Sequence, residues 1–220
     1  VSTIVTNTTV EQQVISDGAG GSFILWRDSR GSTGLNVYAQ RLNAAGEAQW
    51  AANGVPVCNA TGDQNVAQMV LDGSGGIIVT WQDTRNTGYD IYAQRLNSAG
   101  VAQWTTDGIV VSNATNNQQL PAITSDGAGG AIIAWADGRN ISNNYTSIYA
   151  QRLNAAGVAQ WTANGVAIYT AANGYFQYAP TGVTLLANGN GGAFICWPDK
   201  RNNNDFDLYA QSVNAAGAIQ

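Results

Sequence analysis

The chain has 220 residues, of which 45% are apolar and only 10% charged, with a formal net charge of −5 and no histidine. Soluble proteins average about 25% charged residues, so polarity here rests on Asn, Gln, Ser and Thr. This leaves no electrostatic footprint for nucleic acid and no imidazole for a Ser-His-Asp or Cys-His nucleophile, and no apolar run reaches the roughly 18 residues of a membrane span.

Residues 1–9, Val-Ser-Thr-Ile-Val-Thr-Asn-Thr-Thr, read as the tail of a strand and its exit, with no signal-peptide pattern at Val1. The chain therefore starts at a mature terminus or at a cut inside something longer. A strand at residues 13–16 enters the turn Asp17-Gly-Ala-Gly-Gly21, and the next apolar run ends in Trp26, Asp28 and Arg30. Tyr38-Ala-Gln-Arg-Leu-Asn43 follows, then an N-x-A-G turn and Gln49-Trp50. The second unit has a strand at 67–71, Asp72-Gly-Ser-Gly-Gly76, Trp81, Asp83 and Arg85, then Tyr92, Arg95 and Trp104. The third has a strand at 120–124, Asp126-Gly-Ala-Gly-Gly130, Trp135, Asp137 and Arg139, then Tyr149, Arg152 and Trp161. The fourth has a strand at 183–186, Asn188-Gly-Asn-Gly-Gly192, Trp197, Asp199 and Arg201, then Tyr209-Ala-Gln-Ser-Val-Asn214. Steps of 55, 54 and 62 residues between the first tryptophans define a unit of about 54 residues with a late insertion.

Each unit has strand periodicity and no sustained helical stripe, so it predicts four antiparallel strands. In the third unit these run over 120–124, 131–137, 147–153 and 160–168. One such sheet leaves apolar faces exposed, and radial stacking of four sheets covers them. The expected fold is an all-β, four-bladed β-propeller in a single domain over 1–220. Its blades lie near 10–58, 64–112, 118–169 and 179–220, the last completed by residues 1–8. The amino-terminal strand, beside residues 209–214, would close the ring.

Blades of D-G-x-G-G, W-x-D-x-R, Y-A-Q-R-L-N and Q-W resemble repeats of large secreted or surface-attached bacterial proteins, and the strand order is similar to that of NHL-type propellers. The resemblance implies an extracellular, non-enzymatic repeat module at the cell surface or beyond it.

The D-G-x-G-G turn admits a calcium reading, but Asp accepting backbone N–H bonds and Gly at positive φ already account for it as a hairpin. No metal or cofactor is expected. Trp, Asp and Arg at i, i+2 and i+4 share one strand face, either as a sugar platform or as packing between blades with Arg paired to a carboxylate; recurrence in every blade favours packing. The arginines of the second string, Arg41, Arg95 and Arg152, are expected at blade-to-blade contacts. The D-G-x-G-G and N-x-A-G turns fall on one end of the propeller. The other end gathers loops that differ between units, and it supplies the candidate binding residues Tyr89, Asp90, Tyr145, Tyr175, Asp205, Phe206 and Asp207. Sequons at Asn7, Asn59, Asn113, Asn140 and Asn144 mark exposed positions and candidate glycosylation sites. Cys58 and Cys196 lack metal-ligand spacing and read as small core residues or one disulfide.

The leading functional expectation is a non-catalytic structural or adhesive module that associates with itself, even into a filament; the alternative is a lectin-like module binding a cell-surface glycan through the variable loop end. No membrane insertion is expected. A glycosidase is set aside because it needs two carboxylates in unlike environments, whereas acids recur equivalently in the blades.

Overall fold

A computed structural model describes residues 9–31, 34–140, 146–170, 182–199 and 205–220. It is all-β, with four antiparallel sheets in chain order. The first sheet holds β1 (Thr9–Ser16), β2 (Ser22–Asp28), β3 (Asn36–Leu42) and β4 (Val55–Cys58). The second holds β5 (Gln64–Leu71), β6 (Ile77–Asp83), β7 (Asp90–Leu96) and β8 (Ile109–Ser112). The third holds β9 (Gln118–Ser125), β10 (Ala131–Asp137), β11 (Ser147–Leu153) and β12 (Val166–Tyr169). Among the described residues the fourth has three strands, β13 (Thr184–Ala187), β14 (Ala193–Asp199) and β15 (Asp207–Val213).

Register is the same in every sheet: Trp26 opposes Tyr38, Trp81 opposes Tyr92, Trp135 opposes Tyr149 and Trp197 opposes Tyr209. The first strands β1, β5, β9 and β13 converge, each touching the next, which makes them the inner strands. The D-G-x-G-G hairpins form because Asp17 Oδ1 accepts the N–H groups of Ala19 and Gly21 at 2.8 Å, while Gly18 and Gly20 take φ of 77° and 89°. Asp72 and Asp126 repeat this geometry, and Asn188 does so with its amide oxygen.

The outermost strand is shorter than the expected 160–168. Ala159 and Gln160 pair with the end of β11 at Leu153 and Arg152, but Asn164 and Gly165, at φ 60° and 87°, form a tight left-handed turn that breaks the run, and the outer strand proper is Val166–Tyr169. Trp161 instead reaches the next sheet, its indole donating to the Ala215 carbonyl at 3.0 Å. Trp50 and Trp104 do the same to Ser98 and Ala155.

The core lies between sheets. One cluster joins Phe23, Leu25 and Val37 of the first sheet to Ile77, Val79 and Trp81 of the second. Another joins the second to the third, and a last one the third to the fourth. Among the described residues none joins the fourth to the first. The predicted closing strand, residues 1–6, lies outside the described residues.

Candidate functional site

The recurrent Trp, Asp and Arg form one buried unit per blade. In the second blade Trp81 Nε1 donates to Asp83 Oδ2 at 2.8 Å, and the Arg85 N–H and Nη2 donate to the same carboxylate at 2.8 and 2.6 Å. The guanidinium stacks on Tyr92, 3.9 Å from the ring centroid, and also donates to the Asp107 carbonyl at 2.8 Å. Asp107 sits at φ 60°, so the arginine clips the left-handed turn that starts the outer strand. Arg139 repeats this with Asp137, Tyr149 and the Asn164 carbonyl, and Arg30 with Asp28, Tyr38 and the Asn53 carbonyl. Trp197 and Asp199 are buried in the fourth blade, and Arg201 lies outside the described residues. The acids Asp28, Asp83 and Asp137 are 0–2% exposed, so no ligand reaches them without disrupting the blade.

The second set of arginines pairs within the blade. Arg41 meets Asp17 at 3.1 Å, Arg95 meets Asp72 at 2.9 Å and Arg152 meets Asp126 at 2.9 Å. Arg95 also reaches the next blade through the Ala155 carbonyl at 3.0 Å. In the fourth blade both partners change together, to Asn188 and Ser212, so no charge is left alone. Asp17 is held below the usual carboxylate range by the Ala19 N–H and by Arg41.

At the opposite end, neighbouring loops lock together. Asp63 accepts the Leu35 N–H at 2.9 Å and donates its own N–H to Thr84 Oγ1 at 2.7 Å, tying the first blade to the second. Asn117 accepts the Tyr89 N–H at 3.1 Å and its carbonyl accepts the Gly138 N–H at 2.8 Å, tying the second to the third. The sequence reading did not single out these two. The signal lay in a shared string, Asn59-Ala-Thr-Gly-Asp-Gln64 against Asn113-Ala-Thr-Asn-Asn-Gln118. Part of the supposedly variable end is thus constant.

Of the candidate binding residues, Tyr89 is half-buried and Asp90 buried, adjacent on the second blade. Asn86 donates to Asp90 Oδ2 at 2.9 Å and to the Tyr92 hydroxyl at 3.2 Å. Burial raises the Asp90 carboxyl above its ordinary range, and the nearby Asp83 adds to this. Asp205, Phe206 and Asp207 are exposed on the fourth blade, with the third blade between them and Tyr89. Tyr145 and Tyr175 lie outside the described residues, as do Asn7 and Asn144. Asn59, Asn113 and Asn140 are exposed. Cys58 and Cys196 are both free thiols; Cys58 is buried against Arg85 Nη2 at 3.2 Å, and burial pushes its pKa up to about 12.

No protein-family model and no curated protein matches this sequence. Solved structures do match by fold. A thermostable family-43 glycoside hydrolase is 10% identical and aligns over 99% of this chain and 73% of its own, with a TM-score of 0.53. The catalytic domain of the Coprinopsis cinerea GH62 alpha-L-arabinofuranosidase is 11% identical over 98% of this chain and 68% of its own, with a TM-score of 0.50. The class this defines is a β-propeller-like fold shared with glycoside hydrolases.

Two expectations are corrected by that finding. The sequence predicts a structural or adhesive module that is not an enzyme, whereas the two solved structures that share its fold are glycoside hydrolases. The physical reason for the error is plain. Recurrent Trp, Asp and Arg report how blades are built, and their equivalence carries no information on what the non-recurrent loops do.

Proposed function

We propose that this chain is a glycan-recognising β-propeller whose ligand surface is the loop end. One observation carries the reading: the loop end presents exposed Asn59, Asn86, Asn113 and Asn140 and two aromatic rings, half-buried Tyr89 on the second blade and exposed Phe206 on the fourth, and its first three blades are locked together there through Asp63 and Asn117. Amides and carboxylates supply the hydrogen bonds a sugar needs, and a ring supplies a stacking face on a rigid support. The glycoside hydrolases on the same scaffold support this choice of ligand class.

A second reading, glycoside hydrolysis, is favoured by the stated activity of those neighbours and by Asp90, a carboxyl that burial shifts toward the protonated form a general acid requires. The charge-poor, amide-rich surface and the repeat resemblance support a secreted or cell-surface location, where such glycans occur. The test is binding to an array of plant and microbial glycans, followed by assay of reducing-end release from the best binder. Tyr89→Ala and Phe206→Ala are expected to weaken binding about tenfold or more. Unchanged binding in both variants would refute the loop-end surface, and release of sugar that Asp90→Asn abolishes would establish the second reading.

A further inference from the structure

Aligning the four repeats divides each sheet into a face turned to the preceding blade and one turned to the following blade. Arg27 fixes the direction, because from β2 it donates to the Gln64 carbonyl of the second sheet at 2.9 Å; positions alternating with it look forward. Forward-facing positions are Phe23, Ile78, Ile132 and Phe194 on the second strands, and Val37, Ile91, Ile148 and Leu208 on the third. The first three of each set are 0% exposed, whereas Phe194 is 55% and Leu208 76% exposed. The backward face breaks at the other end of the array: Met69 is 2% exposed, while its equivalent Val14 is 66% exposed.

Two apolar walls therefore end the array: Phe194 and Leu208 at positions that the interior junctions bury, and Val14 at one that they bury at Met69 and half-bury at Ile123 and Leu185. Contiguous exposed apolar surface marks an interaction site. Here the interior junctions show its chemistry. The residues that cover Phe23 and Val37 are Ile77, Val79, Trp81 and Leu96 of the next blade, so a partner for Phe194 and Leu208 has to present the same set. Proportion agrees: the family-43 hydrolase fold accommodates 99% of this chain, which spans only 73% of the hydrolase chain, so just over a quarter is left for further structure.

We propose that the two walls bound one slot, and that its occupant is a single further four-stranded repeat of this sequence pattern. That repeat packs its backward face on Phe194 and Leu208 and its forward face on Val14. This inference is independent of which ligand the loop end takes.

Cys196 is a native reporter of one wall. It occupies the forward-facing position held by buried Leu25, Thr80 and Ala134, yet it is half-buried, while Cys58 is fully buried. A Val14→Cys variant reports the other wall. Maleimide labelling is followed in the 220-residue chain and in a chain extended after Gln220 by a copy of residues 104–169, which in phase supplies the outer strand of the fourth blade and then four strands of a further one. Both reporters are expected to label readily in the former at every protein concentration, and about tenfold or more slowly in the latter. Protection of one reporter alone in the extended chain overturns the slot. Protection of both in the dilute 220-residue chain means that four blades close on themselves, and protection rising with concentration means that a second copy is the occupant; either result overturns the proposal. Circular dichroism checks that the added repeat folds. If it does not, a copy of residues 50–112 replaces it, and failure of both copies to fold overturns the proposal too.

Discussion

Asp83 is the residue whose removal tests the blade architecture most directly. Asp83→Ala deletes the acceptor of three donors: the Trp81 indole at 2.8 Å, the Arg85 N–H at 2.8 Å and Arg85 Nη2 at 2.6 Å. Removing one partner of a buried ion pair costs about 3–5 kcal/mol, because the other charge stays buried without compensation. The Arg85 side chain is 18% exposed, so water recovers part of this, and about 3 kcal/mol is expected. The guanidinium does not simply swing out, since it also holds the Asp107 carbonyl and the Tyr92 ring. Asp83→Asn keeps an acceptor oxygen for the indole and is expected to lose less, about 1–2 kcal/mol. The double variant Asp83→Ala/Arg85→Met removes the stranded charge and should be more stable than the sum of its two single variants predicts. Urea unfolding reads these as midpoint shifts at constant slope. A shift worth less than about 1 kcal/mol for Asp83→Ala, or strict additivity in the cycle, would refute the view that the Trp–Asp–Arg unit holds the blade.

Gly108→Ala is expected to destabilise the second blade by about 2 kcal/mol or more, because its Cβ would stand 2.6 Å from Trp81 Cη2 and 2.8 Å from the Ala93 carbonyl at φ 90°; thermal unfolding checks it, with Gly73→Ala, which meets open space at φ 74°, as the milder comparison. Asp28 and Asp90 should titrate on opposite sides of the ordinary 3.8, as carbonyl-detected NMR would show. Burial opposes ionisation of Asp28, but the Arg30 side chain and N–H and the Trp26 indole outweigh it and lower the value. Its stabilisation is present above the unfolded pKa and lost as acid approaches the folded one. Asp90, raised chiefly by burial, contributes the reverse: stability present below its unfolded pKa and lost as pH rises through the folded value, a loss that Asp90→Asn should abolish. Native-state alkylation at pH 8, read by mass spectrometry, should leave Cys58 unmodified because its thiol pKa is pushed up to about 12.

Strand content, four repeats and the turn chemistry were legible in the sequence because they are local. D-G-x-G-G needs only Asp to cap its own turn and Gly at positive φ, and β10 and β11 span the residues read from apolar runs bounded by turns. The Trp–Asp contact was within reach too, since residues two apart on a strand share a face. What Arg85 does beyond Asp83 was not legible: Asp107 lies 22 residues away and comes near only once the outer strand has turned.

Asp63 and Asn117 are fixed by loops of neighbouring blades, so no window within one repeat shows their task. Repetition by itself determined that identical sheets stack and which side chains each sheet offers to its neighbours. Tertiary structure alone decided that Phe194, Leu208 and Val14 stand exposed, although Phe23, Val37 and Met69 at matching sequence positions are buried. Burial belongs to the pair of surfaces in contact, and a residue's own chemistry specifies only one of the two.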